Sequence, residues 1–198
     1  KMRTHKGQSK TLKTEEFQQV IRHTLKSSPF PIRDCAILQV SYRCGLRAKE
    51  IAELKLSDIL DNKGEIKETV TLRKKTTKGH RGGVAFFTHP EVREALSKYL
   101  VQNRSSKATQ YENVFISKKL TPFSPSSMSR LFTTIYNKAG FNGCTSHAGR
   151  KSLCVNLNKQ NVSTYNIQQI MRHASITTTV DHYLKVDEDT LATILENA

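Results

Sequence analysis

Apolar residues recur at helical spacing along most of this chain, and only one stretch changes period. Phe17, Val20, Ile21 and Leu25 lie three to four residues apart, which predicts an amphipathic helix with one apolar face. Its start is read at Thr14-Glu15-Glu16, an N-cap hydroxyl followed by acids suited to the positive end of the helix dipole. Ser27-Ser28-Pro29 and Pro31 punctuate its exit. From Ile32 to Tyr42 the apolar positions are nearly continuous (Cys35, Ala36, Ile37, Leu38, Val40), the pattern of a helix buried in mid-domain. Gly45 breaks it, Arg47 stands at the turn, and a new amphipathic helix runs from Ala48 to Leu54. Val92, Leu96 and Leu100 follow Pro90 in register, and Val114-Phe115-Ile116 forms a short buried run. Met128, Leu131, Phe132, Ile135 and Tyr136 make the inner face of a helix capped by Ser126 or Ser127 and ended by Gly140. Ser163 caps another, with Ile167, Ile170 and Met171 inward, and a last helix from Asp187 carries Leu191, Ile194 and Leu195.

Between Asp58 and Thr88 the period falls to two. Glu68-Thr69-Val70-Thr71-Leu72 alternates and is β-branched, and Val84-Ala85-Phe86-Phe87 answers it. The two runs predict a small antiparallel sheet joined by a hairpin. Arg73, Lys74, Lys75, Lys78 and Arg81 crowd its tip. Those charges either keep a solvated edge from aggregating or press against a phosphate backbone. The fold class is therefore α+β, mainly α-helical.

Charge narrows the partner. The chain has 198 residues, enough for one full domain, with 32 Lys plus Arg against 17 Asp plus Glu, a net charge of +15. So basic a body repels itself unless a polyanion neutralises it, which puts nucleic acid first and an anionic membrane surface second. No apolar run approaches the ~18 residues of a membrane span, and no signal-peptide pattern opens the chain. Cys35, Cys44, Cys144 and Cys154 contain no C-x-x-C pair and read as buried free thiols of a reducing, cytoplasmic compartment rather than as metal ligands.

Candidate chemistry gathers in two places. Gly45-Leu46-Arg47-Ala48-Lys49-Glu50 supplies one arginine, and Thr145-Ser146-His147-Ala148-Gly149-Arg150 supplies a histidine and a second arginine. Met171-Arg172-His173 and Val180-Asp181-His182-Tyr183 follow. Metal-free phosphodiester cleavage needs fixed cations on the non-bridging oxygens, an oxygen nucleophile in line with the leaving oxygen, and an acid to protonate that oxygen. Arg47 and Arg150 suit the first role, Tyr183 the second, and Lys78 or a neighbour the third, with His147 and His173 supplying further hydrogen bonds. Taken singly, Arg47 also reads as a solvated turn residue, His173 as a satisfied core histidine and Tyr183 as a half-buried core residue.

Jointly these residues resemble the catalytic domain of the tyrosine recombinase (integrase) family: Gly45-Leu46-Arg47-x-x-Glu50, Lys78 on a hairpin, His147-x-x-Arg150, His173 and Tyr183. The ten-residue step from His173 to Tyr183 resembles phage and conjugative-transposon integrases. The resemblance implies that Arg47 and Arg150 clamp the scissile phosphate, Lys78 is the general acid, His147 assists proton transfer and His173 hydrogen-bonds the phosphate. It implies that Glu50 supports these cations and that Tyr183 forms a 3′-phosphotyrosine, with no metal and no cofactor. Lys74, Lys75, Arg81 and Arg172 are further candidates for contacting DNA, and Lys74 and Lys75 compete with Lys78. The implied partner is double-stranded DNA, bound by a homotetramer that exchanges the terminal helix 187–198 between neighbours. Residues 1–12 then read as a basic linker and 13–198 as the catalytic domain, with the family's N-terminal DNA-binding domain absent from the chain. One position departs: Met171-Arg172 stands where the family commonly has Leu-Gly. A type IB topoisomerase-like relaxing enzyme and a catalytically silent DNA-binding paralogue are the rival readings.

Overall fold

The computed structural model describes residues 9–73, 82–104 and 112–173. It divides into two units, one ending at Leu153 and one beginning at Cys154.

Helix α1 (Thr14–Ser27) leads the first unit. Its cap is Lys13 rather than Thr14, and the Glu16 carboxylate reaches back to accept the Lys13 N–H at 2.7 Å, the acid's half of a capping box. Phe17 and Val20 are buried as expected, but Leu25 is 53 % exposed and Thr24 takes the inward place. Thr24 can do so because its hydroxyl donates to the Val20 carbonyl at 2.8 Å. Helix α2 (Pro31–Cys44) is buried along nearly its whole length, packing against α1 and against α5 (Pro90–Arg104). Phe17 and Tyr42 stack across the α1–α2 seam with ring centroids 3.7 Å apart.

Gly45 ends α2 at φ 63°, a left-handed turn that glycine enters without steric cost. The chain reverses into α3 (Ala48–Ala52), which packs on α6 (Pro125–Lys138). A short α4 (Leu56–Ile59) follows that periodicity did not predict, since four residues carry no helical repeat. Strands β1 (Thr69–Leu72) and β2 (Gly83–Phe86) pair antiparallel with Thr69 opposite Phe86 and Leu72 opposite Gly83. Val70, Leu72, Ala85 and Phe87 face the core, whereas Val84 and Phe86 are exposed. The basic hairpin tip 74–81 lies outside the described residues. Ser124, not Ser126 or Ser127, caps α6, accepting the Ser127 N–H at 3.1 Å. Pro125 explains the shift: it is preset for the first helical position and has no N–H to satisfy, so the cap is the residue before it. The fold is a mainly helical domain with a two-stranded antiparallel sheet.

Helix α7 (Ala148–Lys159) closes the first unit and enters the second, where α8 (Thr164–Met171) is capped by Ser163, accepting the Asn166 N–H at 3.3 Å. Ile167 and Met171 are buried and Ile170 is half-buried. The four cysteines are free thiols in buried positions. No described helix is long and apolar enough to cross a membrane.

Candidate active site

Two turns bring the arginines together. Arg47 is the residue before α3, and Glu50 reaches back to it twice: its carboxylate accepts the Arg47 backbone N–H at 2.8 Å and the Arg47 Nη1 at 2.8 Å. Glu50 is 1 % exposed, and its carboxylate thus replaces lost water with the helix's own orphan donor and a guanidinium. A carboxylate so placed fixes both the turn and the side chain that leaves it. Arg47 keeps one-fifth of its side chain open to solvent.

Arg150 arrives from the other side. It is 1 % exposed and among the largest fully buried side chains, and its Nη1 donates to the Gly45 carbonyl, 105 residues away in sequence. That carbonyl belongs to the left-handed turn two residues ahead of Arg47. Backbone and side chain therefore knit both arginines and Glu50 into one cluster.

The approach depends on Gly149. A Cβ at this position would lie 2.9 Å from Ser41 Oγ and 3.2 Å from the Tyr42 Cα and N, so α7 meets the backbone of α2 at its first turn. Glycine between His147 and Arg150 is what permits the contact that sets Arg150 on Gly45. Gly149→Ala gains up to about 1 kcal/mol of helix propensity but overpacks a rigid contact, at a cost of about 1–3 kcal/mol. Overpacking wins: the urea midpoint is expected to fall, by about 1 kcal/mol of stability on that balance. An unchanged or higher midpoint would show that α2 yields there.

His147 is exposed at the entrance to α7, three residues before Arg150. Its backbone N–H donates to Thr145 Oγ1 at 3.3 Å, and the next N–H, of Ala148, donates to the Thr145 carbonyl at 2.9 Å. Burial pushes the neighbouring Cys144 thiol above its ordinary range, against a smaller lowering by Lys10, so it stays protonated.

In the second unit, His173 follows α8 and is buried. Arg172 sits in the left-handed region at φ 51° as the helix C-cap, and the His173 N–H donates to the Gln168 carbonyl at 3.1 Å. The Gln168 amide returns a bond to the His173 carbonyl at 3.3 Å. This chain therefore holds an arginine in a left-handed conformation that costs a non-glycine residue about 1 kcal/mol or more.

Of the residues singled out from sequence, the structure thus brings Arg47, Glu50 and Arg150 together and sets His147 one helical turn from Arg150. Lys74, Lys75, Lys78, Arg81 and Tyr183 lie outside the described residues. Sequence reasoning missed Gly45 as the carbonyl partner of Arg150, and Gly149 and Thr145 as supports. Gly149 was visible inside the His147–Arg150 motif, but only the α2 contact says why it is glycine.

The model of the phage integrase family matches residues 10–190. Tyrosine recombinase XerC of Lactobacillus leichmannii is 27 % identical over 169 residues, covering 83 % of this chain and 55 % of that protein. The crystal structure of XerA recombinase superimposes with a TM-score of 0.76 at 26 % identity, over 94 % of this chain and 64 % of that one. The Tn1549 transposon integrase, solved in complex with a circular intermediate DNA, shares the fold with a TM-score of 0.72 at 16 % identity, over 99 % of this chain and 68 % of that one. The chain spans about half the length of the XerC relative it matches.

Proposed function

This chain belongs to the phage integrase family of tyrosine recombinases, and on that premise we propose that it breaks and rejoins DNA strands through a 3′-phosphotyrosine formed on Tyr183. The observation that carries the reading is the Arg47–Glu50–Arg150 cluster. Guanidinium forks match phosphate oxygens, and fixing them before the substrate arrives avoids reorganisation during the reaction.

In the cleavage step the Tyr183 Oη attacks phosphorus and the bond to the 5′-oxygen breaks. Lys78 gives that oxygen its proton, and His147 takes the tyrosine's. His173 donates a hydrogen bond to the phosphate. The energy of the broken bond is kept in the phosphotyrosine, so no nucleotide is consumed. The 5′-hydroxyl of a partner strand then attacks the same phosphorus and releases Tyr183, the protons returning by the same route. The net charge of +15 supplies the salt-sensitive grip on duplex DNA that such chemistry needs. Lys74, Lys75, Arg81 and Arg172 share in that grip. Four copies act together on two duplexes, and the segment 187–198 docks into a neighbour.

The test is a duplex from the DNA flanking the gene, nicked near the cleavage point so that the released fragment diffuses away. The expected product is a protein–DNA adduct that survives detergent and is lost on protease digestion. DNA binding with no adduct would favour the silent paralogue. Rejoining confined to the original strand, when two duplexes are offered, would favour the relaxing enzyme.

A further inference from the structure

The segment ahead of α1 is built into the loop that carries His147. The Thr145 N–H donates to Ser9 Oγ at 2.9 Å, across 136 residues of sequence. The Lys10 N–H donates to the Gly143 carbonyl at 3.1 Å, and the Cys144 thiol lies 3.9 Å from the Lys10 carbonyl. Lys151 Nζ donates to the Ser9 carbonyl at 3.3 Å. The Leu12 N–H donates to Ser152 Oγ at 2.8 Å, and the same hydroxyl donates to the Ala148 carbonyl at 2.8 Å. Ser9, Leu12 and Ser152 are all buried. Three residues, Ser9, Lys10 and Leu12, thus hold both the Gly143–Thr145 loop and the first turn and a half of α7.

A surface linker has no need of this. Connecting segments normally run over the surface and leave their polar groups to water. Here the polar groups of Ser9, Lys10 and Leu12 are spent on the loop at 143–145 and the first turn and a half of α7. The bonds also form a sequence that ends at the histidine: Ser9 Oγ accepts from Thr145 N, and Thr145 Oγ1 accepts from His147 N. Two hydrogen bonds therefore separate the Ser9 hydroxyl from the His147 backbone.

We propose that Ser9 is a positioning residue for His147, holding Thr145 and through it the start of α7, so that residues 9–12 act as a strap that sets how the histidine is presented. The inference rests on the reading of His147 as a working residue of DNA cleavage. It adds a consequence: any displacement of the chain just ahead of Ser9 reaches the catalytic loop through these bonds. Reacting groups misplaced by about 1 Å lose up to about a hundredfold in rate, so a strap of this kind controls rate more than binding.

The test uses the full chain with Ser9→Ala, Ser9→Thr and Ser152→Ala. Amide hydrogen exchange at Thr145 and His147 is expected to quicken about tenfold in Ser9→Ala, with other regions unchanged, because one protecting bond is gone. Adduct formation on the nicked duplex is expected to slow about tenfold at unchanged DNA affinity and nearly unchanged melting temperature, and Ser9→Thr, which keeps the hydroxyl, restores both. Ser152→Ala removes the acceptor of Leu12 and slows the adduct in the same direction. Exchange at 143–148 that matches wild type in Ser9→Ala overturns the strap whatever the activity does. Faster exchange with an unchanged cleavage rate overturns the positioning role. A wild type that makes no adduct, with the exchange difference intact, overturns the recombinase reading on which the role rests and leaves only a structural tie.

Discussion

A Tyr183→Phe protein is expected to bind duplex DNA as the wild type does and to form no covalent adduct with it. The substitution removes one oxygen and keeps the ring. Affinity for DNA is dominated by contacts between basic residues and phosphates, and with a net charge of +15 this chain keeps nearly all of them. The lost oxygen is the only atom that can carry the phosphoryl group in the proposed reaction. His182 stands beside it in sequence, and a phosphohistidine formed there would be recognised by its acid lability. Tyr165, exposed on α8, is the matched control, and Tyr165→Phe should leave the adduct at wild-type level. The measurement is the fraction of labelled DNA retained with protein after detergent. A normal adduct from Tyr183→Phe would refute the assignment of the nucleophile, and loss in both variants would point to a fault in folding.

Arg150→Lys is expected to lower the cleavage rate by about a thousandfold with little change in DNA affinity. Charge is conserved, so what is tested is geometry. A lysine offers one nitrogen, whereas the guanidinium reaches the Gly45 carbonyl through Nη1 while presenting a planar fork. The lysine must either hold that carbonyl or turn toward a phosphate. Loss of one preorganised donor to a developing charge is worth about 2.7–4 kcal/mol of barrier. Thermal unfolding must be run beside it, because an orphaned Gly45 carbonyl also costs about 1–3 kcal/mol of stability. A rate within about fivefold of wild type would mean that the fork is not what meets the phosphate.

How well the elements could be read depended on length and period. Helices α5 and α6 are fifteen and fourteen residues long, enough for several repeats of an apolar face, whereas α2, fourteen residues long, is legible from a nearly continuous apolar run. Gly45 and Ser163 carried local backbone chemistry that any tertiary context would preserve. The missed caps have a common cause. At Lys13 the deciding partner is a carboxylate three residues on, and at Ser124, itself a hydroxyl cap, it is the proline one residue on. Leu25 and Thr24 exchanged expected roles because burial at the end of α1 depends on what packs there, and helical spacing cannot report that.

The candidate site divides along the same line. Sequence alone determined the residue types and their order: arginine after a turn glycine, acid three residues later, histidine and arginine one helical turn apart, then histidine and tyrosine. Chemistry dictates those, because a phosphate needs fork-shaped cations and a strand transfer needs an oxygen nucleophile. Only the tertiary structure decided that the Arg150 guanidinium lands on the Gly45 carbonyl, that Gly149 must lack a side chain for α7 to reach α2, and that Ser9 is tied to Thr145. Each of these is a contact across a hundred residues or more. Such contacts are set by how helices pack, and no local pattern in the chain encodes which backbone group will face which side chain.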